Sequence, residues 1–148
     1  MNPAPRTAIL APGFRASRTM RVFEDGWCDR AARFQPESVA GRVAELRRLA
    51  QSGMSLAHSV IVLTYEDDLR LSSVDREFLW QTFGVPVYEQ YLDSKNRLLA
   101  MECDAHSGLH VIHGCEHLHL ERETCACGDR SPRLPRAARI DELVELLA

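Results

Sequence analysis

The chain has 148 residues, of which 45% are hydrophobic and 26% are charged, and its formal net charge is −3. These values are typical of one globular domain that is long enough to bury a core. The slightly acidic balance gives no electrostatic reason to expect nucleic-acid binding, which usually needs a concentrated basic face. No stretch approaches the roughly 18 apolar residues of a membrane span, so no membrane association is expected.

The N-terminal segment predicts a loose extension and a cytoplasmic protein. Residues 1–17 are rich in Pro, Arg and Ala with little periodicity, so we expect a flexible arm there and a single α/β zinc-binding domain over residues 18–148. The arm lacks the long apolar region of a secretory signal peptide. Thiols stay reduced in the cytoplasm, and an odd total of five cysteines also argues against a closed disulfide framework.

A strand, a helix and then a parallel strand–helix–strand unit are predicted next. "TMRVFEDGW" (19–27) predicts a short strand that ends at a turn. "QPESVAGRVAELRRLAQSG" (35–53) predicts a helix that starts at Pro36, with Val39, Val43, Leu46 and Leu49 on one face. "HSVIVLTY" (58–65) and "VPVYEQY" (85–91) predict buried strands. The helix "SSVDREFLWQTFG" (72–84) between them, capped by Ser72 or Ser73, implies a right-handed parallel crossover.

After Asp93 the pattern changes to short strands between polar or Gly-containing turns. "RLLAMEC" (97–103), "LHVIH" (109–113) and "EHLHLE" (116–121) predict a small antiparallel section. "SPRLP" (131–135) is expected to be a rigid connector, and "RIDELVELLA" (139–148) a last amphipathic helix. The arginines of this region are interpreted as solvated rather than as a phosphate site; they are Arg130, Arg133, Arg136 and Arg139.

The stretch "MECDAHSGLHVIHGCEHLHLERETCACGD" (101–129) holds four of the five cysteines and five of the six histidines. Zinc prefers four thiolate or imidazole ligands in a tetrahedral arrangement. Cys125 and Cys127 flank one alanine, and a turn at the next glycine lets both sulfurs converge. A Ser-Gly turn brings Cys103, which leaves one strand, to His110, which enters the next. The predicted fold class is therefore α/β, a small parallel βαβ sheet followed by short antiparallel strands that form a Cys3His zinc site.

A second set of soft side chains leaves alternatives open. His113, Cys115, His117 and His119 are spaced by two, so on one strand they face the same side. They are a rival ligand set, an open second site or an exposed face. Four ligands in line cannot surround an ion, which favours the exposed face, although His113 or His117 can replace His110 as the fourth ligand. Free core cysteines are the remaining alternative.

Three stretches resemble the phenylacetate-CoA ligase family of the adenylate-forming superfamily. "FGVPVYEQY", "MECDAHSGLHV" and "CACGDRSPRL" are similar to the family patterns "fGvpvyd-YGxTE", "C…GLH" and "CxCGRxxPRL", and the likeness covers roughly residues 30–140. Members of that family carry a structural zinc at these Cys and His positions. The resemblance therefore implies a zinc held by Cys103, His110, Cys125 and Cys127.

The sequence also departs from the family where ATP is bound. Nothing matches the phosphate loop "SSGTTG", and "YLDSK" replaces "YGxTE", so that Lys95 stands where the family has Glu and Leu92 where it has Gly. Only 14 residues separate His110 from Cys125, so the "RYxTGD" motif with its ribose-binding Asp is missing. The family's mobile C-terminal domain with its catalytic Lys is missing as well.

These departures remove the groups that stabilise triphosphate charge and position a carboxylate. We therefore expect a non-catalytic zinc-binding accessory or ligand-binding protein, with a small acyl or aromatic ligand near Tyr91, and no enzyme activity of the isolated chain. The alternatives are a subunit of a split acyl-CoA ligase and a small zinc-dependent enzyme. An uncovered edge beside the interior-type strands predicts a homodimer or a partner protein.

Overall fold

The fold, seen in a computed structural model that describes residues 4–136, is α/β. The strands form one mixed sheet in the order β2-β1-β3-β4-β5-β6-β7-β8. No helix among the described residues is long and apolar enough to cross a membrane. The elements in this range are β1 (Thr7–Ile9), β2 (Met20–Val22), α1 (Asp29–Phe34), β3 (Ser38–Gly41), α2 (Val43–Gln51), β4 (Ser59–Tyr65), α3 (Ser73–Phe83), β5 (Val87–Leu92), β6 (Leu98–Glu102), β7 (Leu109–Val111) and β8 (Arg133–Leu134).

The described residues cluster into two compact units, and the boundary passes through β4, α3 and β5. The first unit contains residues 4–63 and 79–88, and the second contains residues 64–78 and 89–136. The last helix predicted over 139–148 lies outside the described residues, as does Arg139.

The first unit is built on parallel strands. β1 pairs in parallel with both β2 and β3, and β3 pairs in parallel with β4. Ala8 of β1 and Val39 of β3 are fully buried, as expected for strands covered on both faces. On α2, Leu46 and Leu49 lie three positions apart and are also fully buried, so one face of this helix contributes to the core.

Two predictions in the first unit differ from the structure. The flexible arm predicted over residues 1–17 includes Thr7–Ile9, which form β1 and are buried at all three positions. The helix predicted from Pro36 is wrong at its start, because Ser38–Gly41 form β3 and the helix begins only at Val43. Both strands are too short to show a periodicity of their own, and their pairing partners are distant in sequence.

The strand–helix–strand unit predicted over residues 58–91 is confirmed as β4, α3 and β5. The Ser72 hydroxyl accepts a hydrogen bond from the Asp75 N–H at 3.1 Å, which caps the start of α3. Gly84, with φ of +65°, ends the helix in the left-handed region. The strands β4 and β5 are neighbours in the sheet.

The second unit is antiparallel. β5 pairs with β6, β6 with β7 and β7 with β8, all in antiparallel register. In the turn before β6, Asp93 accepts hydrogen bonds from the N–H groups of Lys95 and Arg97, both at 2.9 Å. The apolar core of this unit consists of Tyr91, Leu99, Ala100, Leu109, Cys115 and Leu134.

Two predictions in the second unit are wrong. "EHLHLE" is not a strand, and its last residue makes only an isolated bridge, Glu121 to Arg133. The alternation of polar and apolar residues in this segment has another cause, because Leu118 and Leu120 pack against the apolar core from a loop. The connector "SPRLP" contains strand β8, since Arg133 and Leu134 pair with β7.

Two buried carboxylates of the second unit are paired with arginines. Arg70 donates to Glu89 at 2.7 and 3.2 Å, and the Thr64 hydroxyl donates to the same carboxylate at 2.8 Å. Arg76 donates to both oxygens of Glu102 at 2.9 and 2.8 Å. A buried carboxylate without a partner is strongly destabilising. Each arginine therefore offsets the cost of burying the carboxylate that it pairs with.

We expect Ala8→Asp to destabilise the first unit by on the order of 3 kcal/mol or more, because β1 would then bury an unpaired charge between two strands. Ala4→Asp is the matched control, since Ala4 is exposed in the same segment. Urea denaturation of both variants measures the difference. Equal free energies of unfolding would show that residues 7–9 behave as a loose arm.

Candidate metal centre

The first pair of candidate ligands lies on either side of a tight turn. Cys103 follows the last residue of β6, and His110 is the central residue of β7. Between them Gly108 has φ of +115°, and a Cβ added there would lie 2.7 Å from the carbonyl oxygen of Leu134. Only glycine fits this position without a shift of the backbone, so the Ser-Gly turn of the sequence brings the two residues together.

The second pair lies in a turn of its own. The N–H of Gly128 donates to the carbonyl of Cys125 at 2.8 Å, and the N–H of Cys125 donates to the carbonyl of Asp129 at 3.1 Å. Gly128 adopts φ of +93°, which a residue with a side chain rarely does. This turn places the sulfurs of Cys125 and Cys127 on the same side, as the sequence predicts.

The structure brings all four predicted side chains into one cluster. Their ligand atoms lie within 4.8 Å of one another; the residues are Cys103, His110, Cys125 and Cys127. The sulfurs of Cys103 and Cys125 are 3.6 Å apart, and the Cys127 sulfur is 3.4 Å from Nε2 of His110. Tetrahedral zinc with Zn–S near 2.3 Å and Zn–N near 2.0 Å places its ligand atoms about 3.5–3.8 Å apart. The cluster therefore fits a metal ion of this size.

The donor chemistry of the cluster also fits a metal. All cysteines of the described chain are free. Burial raises the pKa of Cys103 to about 11. At Cys125 the Cys127 backbone N–H and then the Ser107 hydroxyl, as hydrogen-bond donors, lower the pKa to about 6. Without an ion the adjoining sulfurs must share protons, whereas a bound cation stabilises all of them as thiolates.

The imidazole of His110 is held so that one nitrogen faces the cluster. Its Nδ1 lies 2.9 Å from the hydroxyl of Ser131 and 3.8 Å from a carboxylate oxygen of Asp129, while Nε2 faces Cys127. Histidines that bind metals usually have their second nitrogen fixed in this way. The sequence did not point to Ser131 or Asp129, because residues that fix the second nitrogen of a ligand histidine need no particular spacing from it.

A buried arginine lies beside the cluster, although the sequence suggested solvated arginines here. Arg130 and Arg136 are exposed, but Arg133 is 6% exposed. It donates to the carbonyl and hydroxyl oxygens of Ser107 at 2.5 and 2.9 Å. The Nε of Arg133 is buried and has no hydrogen-bond partner among the described residues. An orphan of this kind costs about 1–3 kcal/mol unless something compensates for it.

The second set of soft side chains does not converge. His113, His117 and His119 are exposed, and Cys115 is buried in the apolar core of the second unit. Within residues 4–136 none of these four belongs to a group with metal-ligand spacing. Burial of Cys115 among apolar neighbours raises the pKa of its thiol, which disfavours the thiolate that a metal needs.

Comparison of the chain with protein-family models and with curated proteins gives no match. The resemblance to phenylacetate-CoA ligases therefore stands on the sequence motifs alone and stays a prediction.

We expect Gly108→Ala to destabilise the second unit by on the order of 3 kcal/mol and to weaken metal binding, because the new Cβ collides with the backbone of β8 at an already strained dihedral. Gly114→Ala is the matched control. Gly114 has φ of +66°, but a Cβ there meets nothing within 4 Å, so only about 1–2 kcal/mol of backbone strain is expected. Thermal denaturation and metal titration of both variants provide the comparison. Similar losses of stability and of metal affinity in the two variants would show that the close approach to Leu134 is unimportant.

Proposed function

We propose that this chain is a non-catalytic zinc-binding accessory or ligand-binding protein whose zinc has a structural role. The observation that carries the proposal is the convergence of three thiols and one imidazole within 4.8 Å; they belong to Cys103, His110, Cys125 and Cys127. Thiolate-rich sets of four ligands are typical of structural zinc, whereas catalytic zinc keeps one position for water or substrate. A set of four protein ligands therefore favours a structural role.

The position of the cluster supports the same role. Its ligands come from the end of β6, from β7 and from the turn at residues 125–128. β7 and β8 are only three and two residues long. Strands this short have little stability of their own, so an ion that joins the three segments would supply much of their folding free energy.

We further propose a relationship to the phenylacetate-CoA ligases without their adenylation activity. The motifs that carry the resemblance, "C…GLH" and "CxCG", are the ones that supply the clustered side chains. At the position of the family's "YGxTE", the carboxylate of Asp93 is engaged by its own turn and by the Arg97 side chain at 3.0 Å. The pKa of Asp93 is lowered, and the hydrogen bond from the Arg97 backbone N–H is the largest cause. This carboxylate therefore serves the turn rather than a nucleotide.

The partners remain proposals as well. Tyr91, near which a small acyl or aromatic ligand was expected, is buried, and the Arg70 guanidinium lies 5.5 Å from its ring centre. β4, one of the interior-type strands beside which an uncovered edge was expected, pairs with β3 of the same chain. A homodimer or a partner protein stays a proposal, and a partner chain that completes a split acyl-CoA ligase is the alternative. A small zinc-dependent enzyme is less well supported, because His113, His117 and His119 stay outside the cluster.

We expect the purified protein to contain one zinc per chain, and Cys127→Ser to lower that content to near zero because it removes one of four ligands. Cys28→Ser is the matched control, since Cys28 is an exposed cysteine outside the cluster. Elemental analysis gives the metal content. Hydrogen exchange after chelation should show loss of protection in residues 98–134. A metal-free wild-type protein with unchanged protection would contradict the proposal.

We expect no acid-dependent exchange of pyrophosphate into ATP by the purified chain with aryl or alkyl acids, because the phosphate loop and ribose-binding motif of the family have no counterpart in the sequence. Lys95→Glu restores the family's glutamate and should leave the exchange rate at background. Robust exchange by either protein would favour the acyl-CoA ligase alternative.

A further inference from the structure

We propose that Arg133, acting through the Ser107 hydroxyl, is the positioning residue that holds Cys125 and balances the charge of the metal-loaded cluster. This inference rests on the proposed function, because it concerns the same Cys3His centre. It adds a residue that belongs neither to the ligand set nor to the motifs that predicted it.

The backbone of Arg133 already joins two of the ligand-bearing segments. In the β7–β8 ladder Arg133 pairs with His110. Its N–H and carbonyl also exchange hydrogen bonds with Glu121 at 2.9 and 2.8 Å, in the segment that leads to the cysteine turn. Its backbone contacts alone therefore fix Arg133 relative to both segments.

The side chain joins the turn that precedes β7 to the segment that leads to the cysteine turn. One terminal nitrogen donates to the Ser107 carbonyl at 2.5 Å and to the Ser107 hydroxyl at 2.9 Å, in the turn that follows Cys103. The other donates to the carbonyl of Glu123 at 3.3 Å, two residues before Cys125. A planar guanidinium can hold two acceptors in fixed relative positions, which an ammonium group cannot do.

The Ser107 hydroxyl passes this contact on to the metal cluster. Its oxygen lies 3.4 Å from the sulfur of Cys125. Because the oxygen accepts from Arg133, which is only a donor, the hydroxyl hydrogen is free to point at the sulfur. The resulting chain runs from the guanidinium through the hydroxyl to the Cys125 sulfur, and a thiolate there accepts a hydrogen bond that fixes its direction.

The charge of the metal-loaded cluster explains why position 133 carries an arginine. Three thiolates, one neutral imidazole and a divalent ion sum to a net charge of −1. A buried negative charge needs a nearby cation. The guanidinium side chain of Arg133 is 7% exposed. Its carboxylate neighbour Glu121 is 3.8 Å away and 44% exposed, so solvent weakens that competing pair.

Cobalt(II) loading tests the proposal, because thiolate-to-cobalt charge-transfer bands report on the sulfur ligands. We expect Arg133→Met and Ser107→Ala each to weaken cobalt and zinc binding by about 10–100-fold and to shift these bands. Arg133→Lys should recover part of the affinity, since it restores the charge but not the two-pronged contact. The double variant Arg133→Met/Ser107→Ala should bind like Arg133→Met alone, because the two residues act in series.

Arg70→Met is the control for general destabilisation. It breaks the buried pair with Glu89 in the same unit, so it should lower the melting temperature while the folded protein keeps the wild-type cobalt spectrum and affinity. If Arg133→Met does not fold, Ser107→Ala alone decides. Wild-type spectra and affinities in Arg133→Met or Ser107→Ala would overturn the proposal, and so would additive losses in the double variant. A wild-type chain that binds neither metal would overturn the proposed function itself, and this inference with it.

Discussion

The second unit depends on the crowding of three sulfurs and one imidazole into a space less than 5 Å across. The sulfurs of Cys103 and Cys125 are 3.6 Å apart without a bond between them. Two thiolates at that distance repel each other, and burial makes the repulsion stronger. The opposite pKa directions at these two residues express the same conflict, because one thiol keeps its proton while the other loses it readily. A divalent cation removes the conflict, which is why the arrangement points to a metal rather than to free thiols.

Strand β7 shows how this unit uses one short element for two purposes. Successive side chains of a strand point to opposite faces. Leu109 and Val111 contact the apolar core, and His110 between them belongs to the Cys3His cluster. A one-residue slip in the pairing with β8 would exchange these faces and break both contacts at once. Gly108 permits the observed register, because its missing side chain allows the close approach to β8 at the start of the strand.

The parts that the sequence predicted well are those with a strong local signal. The strand over 59–65 and the helix over 73–83 have continuous apolar or capped patterns, and the four clustered residues have types and spacings that few other arrangements explain. The features that the sequence did not predict have a common physical cause. Thr7–Ile9 form a strand because Ser38–Gly41 lie beside them, and Arg133 is buried because Ser107 and Glu123 accept its hydrogen bonds. Such contacts join residues 10 to 31 positions apart, where local periodicity carries no information.

Hydrogen bonds of the same kind engage carboxylates of the second unit. A general base needs a carboxylate or imidazole with a free lone pair near a substrate. The buried Glu89 and Glu102 each accept two hydrogen bonds from an arginine, and Asp93 accepts three within its own turn. The oxygens of these carboxylates are therefore occupied by hydrogen bonds within the unit. The buried polar groups of the unit thus serve to hold its short strands together.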